Sequence, residues 1–161
     1  MSEAGPEGAA TQHVDFYVLD SAEPRARLLL GCRLVEKAYL AGQRVFVWLE
    51  DAAALADFDE LLWTFSDRSF VPHEGAGAHE PPQWQQCPVQ LGCQSAPASG
   101  YDLLLNLGGE APAASLEQAP RIIEILDAEP ARRQAARERY RRYRERGVNP
   151  QTHHIAADES G

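Results

Sequence analysis

Two short, almost continuously apolar runs constrain the fold of this chain more than any other feature. They are Arg44–Leu49, which reads RVFVWL, and Asp102–Leu107, which reads DLLLNL. Strands that are buried on both faces of a parallel sheet have sequences of this kind. Both runs therefore predict central strands of a sheet that is covered on its two faces.

Further strands alternate with helical patterns along the chain. Apolar residues recur at helical spacing between Glu23 and Ala41, Asp51 is placed to cap a second helix, and Pro130 suits the first turn of a last helix that Gly147 ends. Alternating strands and helices predict an α/β fold of three Rossmann-like layers, with a mostly parallel sheet and helices on both faces. The other expected strands are Val14–Leu19, Val89–Leu91 and Arg121–Leu126.

Composition indicates one domain with polar ends. Residues 1–12 are small and polar and are expected to be a disordered extension, residues 13–150 form the domain, and residues 151–161 form a C-terminal tail. Residues 66–86, rich in proline and glycine, are expected to be a long loop. The first twelve residues do not resemble a secretory signal, no run of 18 apolar residues occurs, and the three cysteines suit a reducing compartment, so we expect a cytoplasmic protein without a membrane span.

The charge is distributed very unevenly. Residues 131–146 hold eight of the fifteen basic residues and only two glutamates, a local charge of +6 in a chain of net charge −9. The rest of the chain therefore sums to −15. Such a protein repels polyanions over most of its surface and attracts them at one basic helix.

One face of that helix has the composition of an anion-binding surface. Arginine offers a planar fork to a carboxylate or phosphate, and tyrosine offers a flat apolar wall with a polar tip. The alternative is a solvated helix with ion pairs between Glu138 and Arg142 and between Arg141 and Glu145. Two glutamates cannot balance eight arginines, which favours the binding surface. The residues on this face are Arg133, Arg137, Tyr140, Arg141 and Arg144.

The sequence indicates neither a cofactor, a metal nor a catalytic centre. Gly108-Gly109 follows a strand, but neither glycine-rich phosphate-binding motif is present, so a simple turn is favoured and no phosphate-binding loop is expected. No nucleophile elbow or paired acidic site is found. The spacing of four possible zinc ligands is unlike that of structural zinc sites. Those four residues are His73, His79, Cys87 and Cys93.

Aromatic residues concentrate where the second helix runs into the expected loop. Leu62–Phe65 and Ser69–His73 together contain one tryptophan and two phenylalanines. Core packing explains such a cluster, and so does a protein-binding patch, because aromatic residues on loop-rich surfaces are common anchors for partners.

Several of these segments, in this order and spacing, resemble the chi subunits of bacterial DNA polymerase III, which are accessory proteins of the clamp-loader complex. The resemblance runs from Val14 to Thr152. It rests on Phe16–Leu19, Ala41–Val45, Leu61–Trp63, Ser69–His73, Asp102–Leu107 and Ala136–Arg144.

The resemblance implies a non-catalytic adaptor in DNA replication that needs no cofactor and meets DNA only indirectly. Such proteins bind a psi subunit, which joins them to the clamp loader, and the acidic C-terminal tail of single-stranded-DNA-binding protein, which ends in aspartates followed by Ile-Pro-Phe. Arg133 and Arg141 occupy positions at which a related chi subunit is expected to have lysine. Matched residue by residue, the resemblance places the tail at Leu126, Arg133, Arg137, Tyr140 and Arg141, and psi at Trp63, Phe70, Val71 and Pro72.

A degenerate nucleotide-binding enzyme is one alternative, which the fold alone favours and no motif supports. Direct binding of single-stranded nucleic acid by the basic helix is the other. The arginines of its exposed face support it. The negative charge of the rest of the chain and the small number of aromatic residues available to stack on bases, Tyr140 and Tyr143, oppose it.

Overall fold

The computed structural model describes residues 12–75, 84–97 and 100–155, and its framework is a sheet of seven parallel strands. The strands lie side by side in the order β3-β4-β2-β5-β6-β1-β7. In chain order they are β1 (His13–Leu19), β2 (Val45–Trp48), β3 (His73–Gly75), β4 (Val89–Gly92), β5 (Leu103–Asn106), β6 (Arg121–Leu126) and β7 (Gln151–Ile155).

The described residues form four helices, of which the sequence predicts three; the short helix Ala113–Gln118 was not expected. The Asp51 side chain accepts a hydrogen bond from the backbone N–H of Ala54, and Pro130 begins the last helix. Gly147, just beyond that helix, has a φ of +88°, which residues with a side chain rarely adopt. The helices are α1 (Pro24–Leu40), α2 (Ala52–Thr64), α3 (Ala113–Gln118) and α4 (Pro130–Glu145).

Each face of the sheet carries its own apolar core. On β2, Val45 and Val47 belong to the cluster that packs beneath α1 and α2. Phe46 and Trp48, which alternate with them, belong to the cluster beneath α3 and α4. Successive side chains of a strand point to opposite faces, so one apolar run supplies both cores. This confirms the predicted three-layer α/β fold with helices on both faces.

The two outermost strands differ from the expectations drawn from the sequence. β3 lies in the segment expected to be a loop, and β7 lies in residues 151–161, beyond the expected domain boundary at residue 150. Each pairs with a single described neighbour, β4 and β1 respectively. A short edge strand buries little, so it lacks the apolar run by which the central strands are recognised. The expected disorder of residues 1–12 falls, except for Gln12, outside the described residues.

Candidate functional site

An open groove of about 780 Å³ runs along α4 where the helix crosses β1 and β7. Its floor is apolar and is formed by Phe16 and Val18 of β1 and Leu126 of β6. The helix supplies a cationic wall, and Thr152 of β7 lies at the opposite side. The residues of α4 that line the groove are Arg133, Ala136, Arg137, Tyr140, Arg141, Arg144 and Glu145. The five residues that the sequence analysis assigned to an acidic tail therefore lie around one groove.

A buried ion pair orients α4 on the sheet. Arg139 of α4 and Glu124 of β6 are 7% and 1% exposed, and their nearest nitrogen and oxygen are 2.9 Å apart. The Tyr143 hydroxyl donates to the same carboxylate at 2.7 Å, and the Asn106 side chain donates to it at 3.2 Å. Burial and the negative charge of Glu124 raise the pKa of Tyr143. Arg139 and Tyr143 thus hold the helix, and neither side chain is available to a ligand in the groove.

The N-terminal end of the groove is fixed by Asp127, whose side chain is fully buried. Arg132 donates to both of its carboxylate oxygens, at 3.0 and 3.1 Å. Arg133 donates from Nε to the Asp127 carbonyl oxygen at 2.8 Å and from an Nη to the Leu19 carbonyl oxygen at 3.4 Å. Burial opposes ionisation of Asp127, but the hydrogen bonds from Arg132 and from the Glu129 backbone outweigh it and lower the pKa of Asp127. Arg133 is therefore held in place by backbone oxygens rather than by a carboxylate.

Three arginines farther along the groove are not neutralised by a carboxylate. Arg137 is exposed and donates to the Gln134 side-chain oxygen at 2.9 Å. Arg141 and Arg144 are exposed and have no hydrogen-bond or ion-pair partner in the part of the chain that the structure describes. Tyr140, which lies between Arg137 and Arg141 in the sequence, packs on Phe16 with ring centroids 5.3 Å apart. The groove therefore offers free guanidinium groups beside an aromatic wall.

The helix is not the solvated one that the sequence left open as an alternative. Arg142, on another face of α4, donates to Glu110 at 2.8 Å rather than to Glu138. Arg146 donates to the Gln12 side chain and to the Leu116 carbonyl oxygen. Five of the eight arginines thus bond to carboxylates or backbone oxygens of the protein. The other three, Arg137, Arg141 and Arg144, line the groove without such a partner among the described residues.

A second candidate surface lies where α2 leads toward β3. Trp63 and Phe70 are 42% and 68% exposed, and their ring centroids are 5.3 Å apart. Pro72, two positions after Phe70 in the sequence, is half-buried. Val71 is fully buried in the core under α1 and α2. The exposed aromatic pair can contact a partner, whereas Val71 supports the surface from beneath instead of forming part of it.

Sequence reasoning missed several residues of these two surfaces. Phe16 and Val18 occupy alternate positions of β1, a spacing that assigns them to one face but does not show which helix covers it. Thr152 lies in the segment that was expected to be a tail, and no sequence pattern indicates that it lines a binding site. His73, predicted to be a weak metal candidate, is buried under Trp63 with ring centroids 4.0 Å apart, and its two nitrogens lie 2.7 Å from the Val71 carbonyl oxygen and 3.1 Å from the Asp59 carboxylate.

The described residues hold neither a metal site nor a membrane-spanning helix. Among them, no cluster of three or more histidine, cysteine, aspartate or glutamate side chains is arranged to hold a metal ion. No helix in the described ranges is long and apolar enough to cross a membrane. His79 of the four weighed zinc ligands lies outside the described residues.

Comparison with protein families gives a match over nearly the whole described chain. Residues 12–151 match the family described as DNA polymerase III chi subunit, HolC. The DNA polymerase III subunit chi of Pseudomonas aeruginosa is 42% identical over 142 residues, covering 88% of this chain and 96% of that protein. The Escherichia coli K12 subunit of the same name is 31% identical over 147 residues, covering 88% and 97%.

Similarity to solved structures extends beyond this family at the level of the fold. A Saccharomyces cerevisiae Dbp5 variant bound to RNA and ADP BeF3 superimposes with a TM-score of 0.57 at 7% sequence identity. The match covers 98% of this chain, which spans 45% of the length of that protein. At this identity the likeness concerns the arrangement of strands and helices alone.

Proposed function

This chain belongs to the DNA polymerase III chi subunit family and is an accessory subunit of DNA replication, and we propose that the groove along α4 binds the acidic C-terminal tail of single-stranded-DNA-binding protein. On this proposal the chain is a non-catalytic cytoplasmic adaptor that needs no cofactor. It links the clamp-loader complex to single-stranded DNA that is covered by single-stranded-DNA-binding protein. A psi subunit, where the organism has one, provides the connection to the clamp loader, and the chain itself contacts DNA only indirectly.

The open groove with its apolar floor and cationic wall carries this proposal. A chain end of the sequence Asp-Ile-Pro-Phe presents a terminal carboxylate, an aromatic ring and nearby aspartates. The ring requires an apolar slot, which Leu126, Phe16 and Tyr140 provide. The carboxylates require guanidinium groups that are not already neutralised, and Arg137 and Arg141 are of that kind. Capture of a C-terminal carboxylate is a recurring mode of peptide recognition.

The five assigned residues have different roles in this groove. Arg137 donates to the terminal carboxylate from its planar fork, because its present partner is only a neutral amide. Arg133, held by two backbone oxygens, adds fixed positive charge near the N-terminus of α4, where the helix dipole also favours an anion. Arg141 attracts the aspartates, and Leu126 and Tyr140 hold the phenylalanine ring.

Calorimetric titration with a short peptide that ends in Asp-Ile-Pro-Phe tests the proposal. We expect Arg137→Ala to weaken binding by about 1.5–3 kcal/mol, the value of a hydrogen bond to a charged group. Arg142→Ala is the matched control, since Arg142 is on another face of the same helix and bonds to Glu110. Equal affinities of the wild type and the Arg137 variant, or no binding by the wild type, would contradict the proposal.

The exposed pair of Trp63 and Phe70 supports a psi-binding surface on the other side of the sheet. Leu62 and Val71, the sequence neighbours of this pair, belong to the core under α1 and α2, whereas the groove lies over the core under α3 and α4. Exposed aromatic residues of this kind are typical anchors of protein interfaces. The two partners can therefore bind at the same time, as an adaptor requires.

Direct binding of single-stranded nucleic acid remains the second candidate, because Arg141 and Arg144 have no partner in the described chain. Stacking on bases needs several exposed aromatic rings. Tyr143 is 1% exposed, so only Tyr140 of the two tyrosines on α4 can stack. A gel-shift assay of the isolated protein distinguishes the candidates, because tight single-strand binding that weakens steeply with salt favours this second function.

A further inference from the structure

A small cavity of about 50 Å³ lies at the carboxyl edge of the sheet, next to the α4 groove, with which it shares Leu126. The loop after β5 lines it with Leu107, Gly108 and Gly109, and Glu50 lies at the end of β2. Three arginines also line it: Arg27 from α1, on one face of the sheet, and Arg132 and Arg139 from α4, on the other. The remaining lining residues are Asn106, Ile125, Leu126 and Ala135. Guanidinium groups from both helical layers thus converge on one cavity.

The topology of the sheet opens a crevice at this point. β2 is followed by α2 on one face, and its neighbour β5 is followed by α3 on the other. The next pair, β6 and β1, diverge in the same way toward α4 and α1. In open α/β sheets, ligands bind outside the carboxyl ends of strands where the connections diverge.

Arg27 is a buried cation whose hydrogen bonds are incomplete. It is 7% exposed, and an Nη group donates to the Leu107 carbonyl oxygen at 2.9 Å. Its Nε–H is buried and has no partner among the described residues. Burial, and then repulsion by Arg132, lower the pKa of Arg27 to about 10, which leaves it charged at neutral pH. A buried charged donor without an acceptor is costly, so the site favours an added acceptor.

Arg139 has the same deficiency on the opposite wall. Its Nε and one Nη bond to Glu124, while the other Nη is buried without a hydrogen-bond partner in the described part of the chain. The nearest carboxylate to that nitrogen is Glu110, at 3.8 Å, which is too long for a hydrogen bond. Arg132 and Arg139 form ion pairs with the buried carboxylates of Asp127 and Glu124. Arg27 has no carboxylate at hydrogen-bond distance among the described residues, and Asp127 and Glu50 attract it less than burial and Arg132 oppose its charge.

We propose that this cavity binds one small oxyanion, with Arg27 as its principal ligand and Arg139 donating from the facing wall. A cavity needs about 10–15 Å³ to hold one water molecule, so a cavity of about 50 Å³ holds a group of a few heavy atoms, such as phosphate, and excludes a nucleoside. The anion is either free inorganic phosphate or the terminal phosphate of a larger ligand whose remainder lies outside, past Gly108 and Gly109.

The site differs from a phosphate-binding loop in the source of its donors. The backbone N–H groups of Gly108 and Gly109 both donate to the Asn106 side-chain oxygen at 3.1 Å, so they are not free to bind an anion. Guanidinium groups take over that role here. An anion would also offset the repulsion between Arg27 and Arg132, which a neutral water cannot do.

Titration of the full chain with inorganic phosphate at constant ionic strength tests this site. Binding is measured by thermal unfolding and by the amide NMR signals of Gly108 and Gly109. We expect a saturable rise in Tm, with shifts of these two signals, that sodium chloride of equal ionic strength does not reproduce. In a parallel titration, a nucleoside monophosphate that binds more tightly than phosphate identifies the anion as part of a larger ligand, and equal affinity identifies free phosphate.

Arg27→Gln should weaken phosphate binding by at least about tenfold, because it removes a charged hydrogen bond. Arg141→Gln, in the α4 groove, separates this site from the peptide-binding surface. A phosphate effect that persists in the Arg27 variant but is lost in the Arg141 variant would overturn the proposal. So would an effect that chloride reproduces or that does not saturate. Where Arg27→Gln does not fold, the NMR signals of the wild type decide: unchanged Gly108 and Gly109 signals at saturating phosphate refute the site.

Discussion

The buried carboxylate of Glu124 lies 2.9 Å from a guanidinium nitrogen of Arg139, and this ion pair fixes how α4 is rotated on the sheet. Successive residues of a helix are 100° apart around its axis, so Arg137 and Arg141 lie on the side away from Arg139. These two residues line the groove, which is open to solvent. The shape of the groove therefore depends on an ion pair whose two residues do not line it.

Glu124→Gln should lower the free energy of unfolding by about 3–5 kcal/mol, the cost of breaking a buried ion pair by removing one partner. Arg139 then has no buried carboxylate, and the hydroxyl of Tyr143 loses its charged acceptor. Urea denaturation measures the loss. Arg141→Gln, on the exposed side of the same helix, should change stability by less than about 0.5 kcal/mol. Equal stabilities of the two variants would show that the ion pair does not anchor the helix.

The sequence predicts the central sheet well, because burial on both faces leaves a pattern that can be read directly. β2 and β5 are recognisable as nearly unbroken apolar runs. β7 is polar because it lies at an edge, where only one side of its backbone is paired to a described strand. Its place beside β1 depends on the whole topology and is not visible in five residues of local sequence.

The candidate groove is predictable in its chemistry but not in its details. The sequence identifies a basic face on α4, and three of its arginines do lie in the groove without a carboxylate partner. It cannot distinguish Arg139, bonded to a buried carboxylate, from Arg141, which is exposed, because both are arginines of one helix. Glu124 is 15 positions from Arg139 in the sequence, and Glu110 is 32 positions from its partner Arg142. Only the long-range contacts of the folded chain show which arginines hold α4 on the sheet and which are available to a ligand.

Tyr140 should contribute to peptide binding through its ring rather than its hydroxyl. The ring packs on Phe16 with a centroid distance of 5.3 Å and forms part of the groove wall. We expect Tyr140→Phe to keep the affinity for the phenylalanine-ended peptide within about twofold. Tyr140→Ala should weaken it by at least about tenfold, the scale of a lost aromatic contact together with its buried area. Calorimetry checks both variants, and a large loss with Tyr140→Phe would show instead that the hydroxyl is the essential contact.

The affinity for the peptide should fall as salt is added, and Arg141 should account for part of that dependence. Arg141 is exposed and unpaired in the described chain, so its attraction for the aspartates acts through solvent and is screened. Arg141→Gln should therefore give a shallower plot of affinity against salt concentration. Arg142→Gln is the matched control, because that arginine already bonds to Glu110. Identical slopes for the wild type and the Arg141 variant would exclude this role.

The aromatic surface should separate into contact and support residues. Val71→Ala should destabilise the protein by about 1–2.5 kcal/mol, because the side chain is fully buried in the core. Phe70→Ala should leave stability within about 0.5 kcal/mol, because the ring is 68% exposed, and should weaken association with psi. Thermal unfolding and pull-down with purified psi provide the two measurements. A Phe70 variant that binds psi normally would place the psi surface elsewhere.

Asp127 should make the stability of the protein depend on pH in the acid range. Its pKa is lowered in the folded chain, so the folded state binds its proton less readily than the unfolded state. The stabilisation is fully present above the unfolded pKa of about 4 and is lost as the pH falls through the folded value. Asp127→Asn removes this contribution and should cost about 1.5–3 kcal/mol at pH 7, where the wild-type carboxylate bonds to Arg132 and to the Glu129 backbone.

The difference in stability between the wild type and Asp127→Asn, measured by urea denaturation from pH 7 to pH 2, decides this prediction. It should be constant down to about pH 5 and shrink below pH 4, because the protonated wild-type side chain no longer carries the charge that Arg132 compensates. Glu117→Gln, an exposed change on α3 with no ion pair to a described residue, should show no such trend. A difference that stays constant to pH 2 would mean that Asp127 stabilises α4 through hydrogen bonding alone, without its charge.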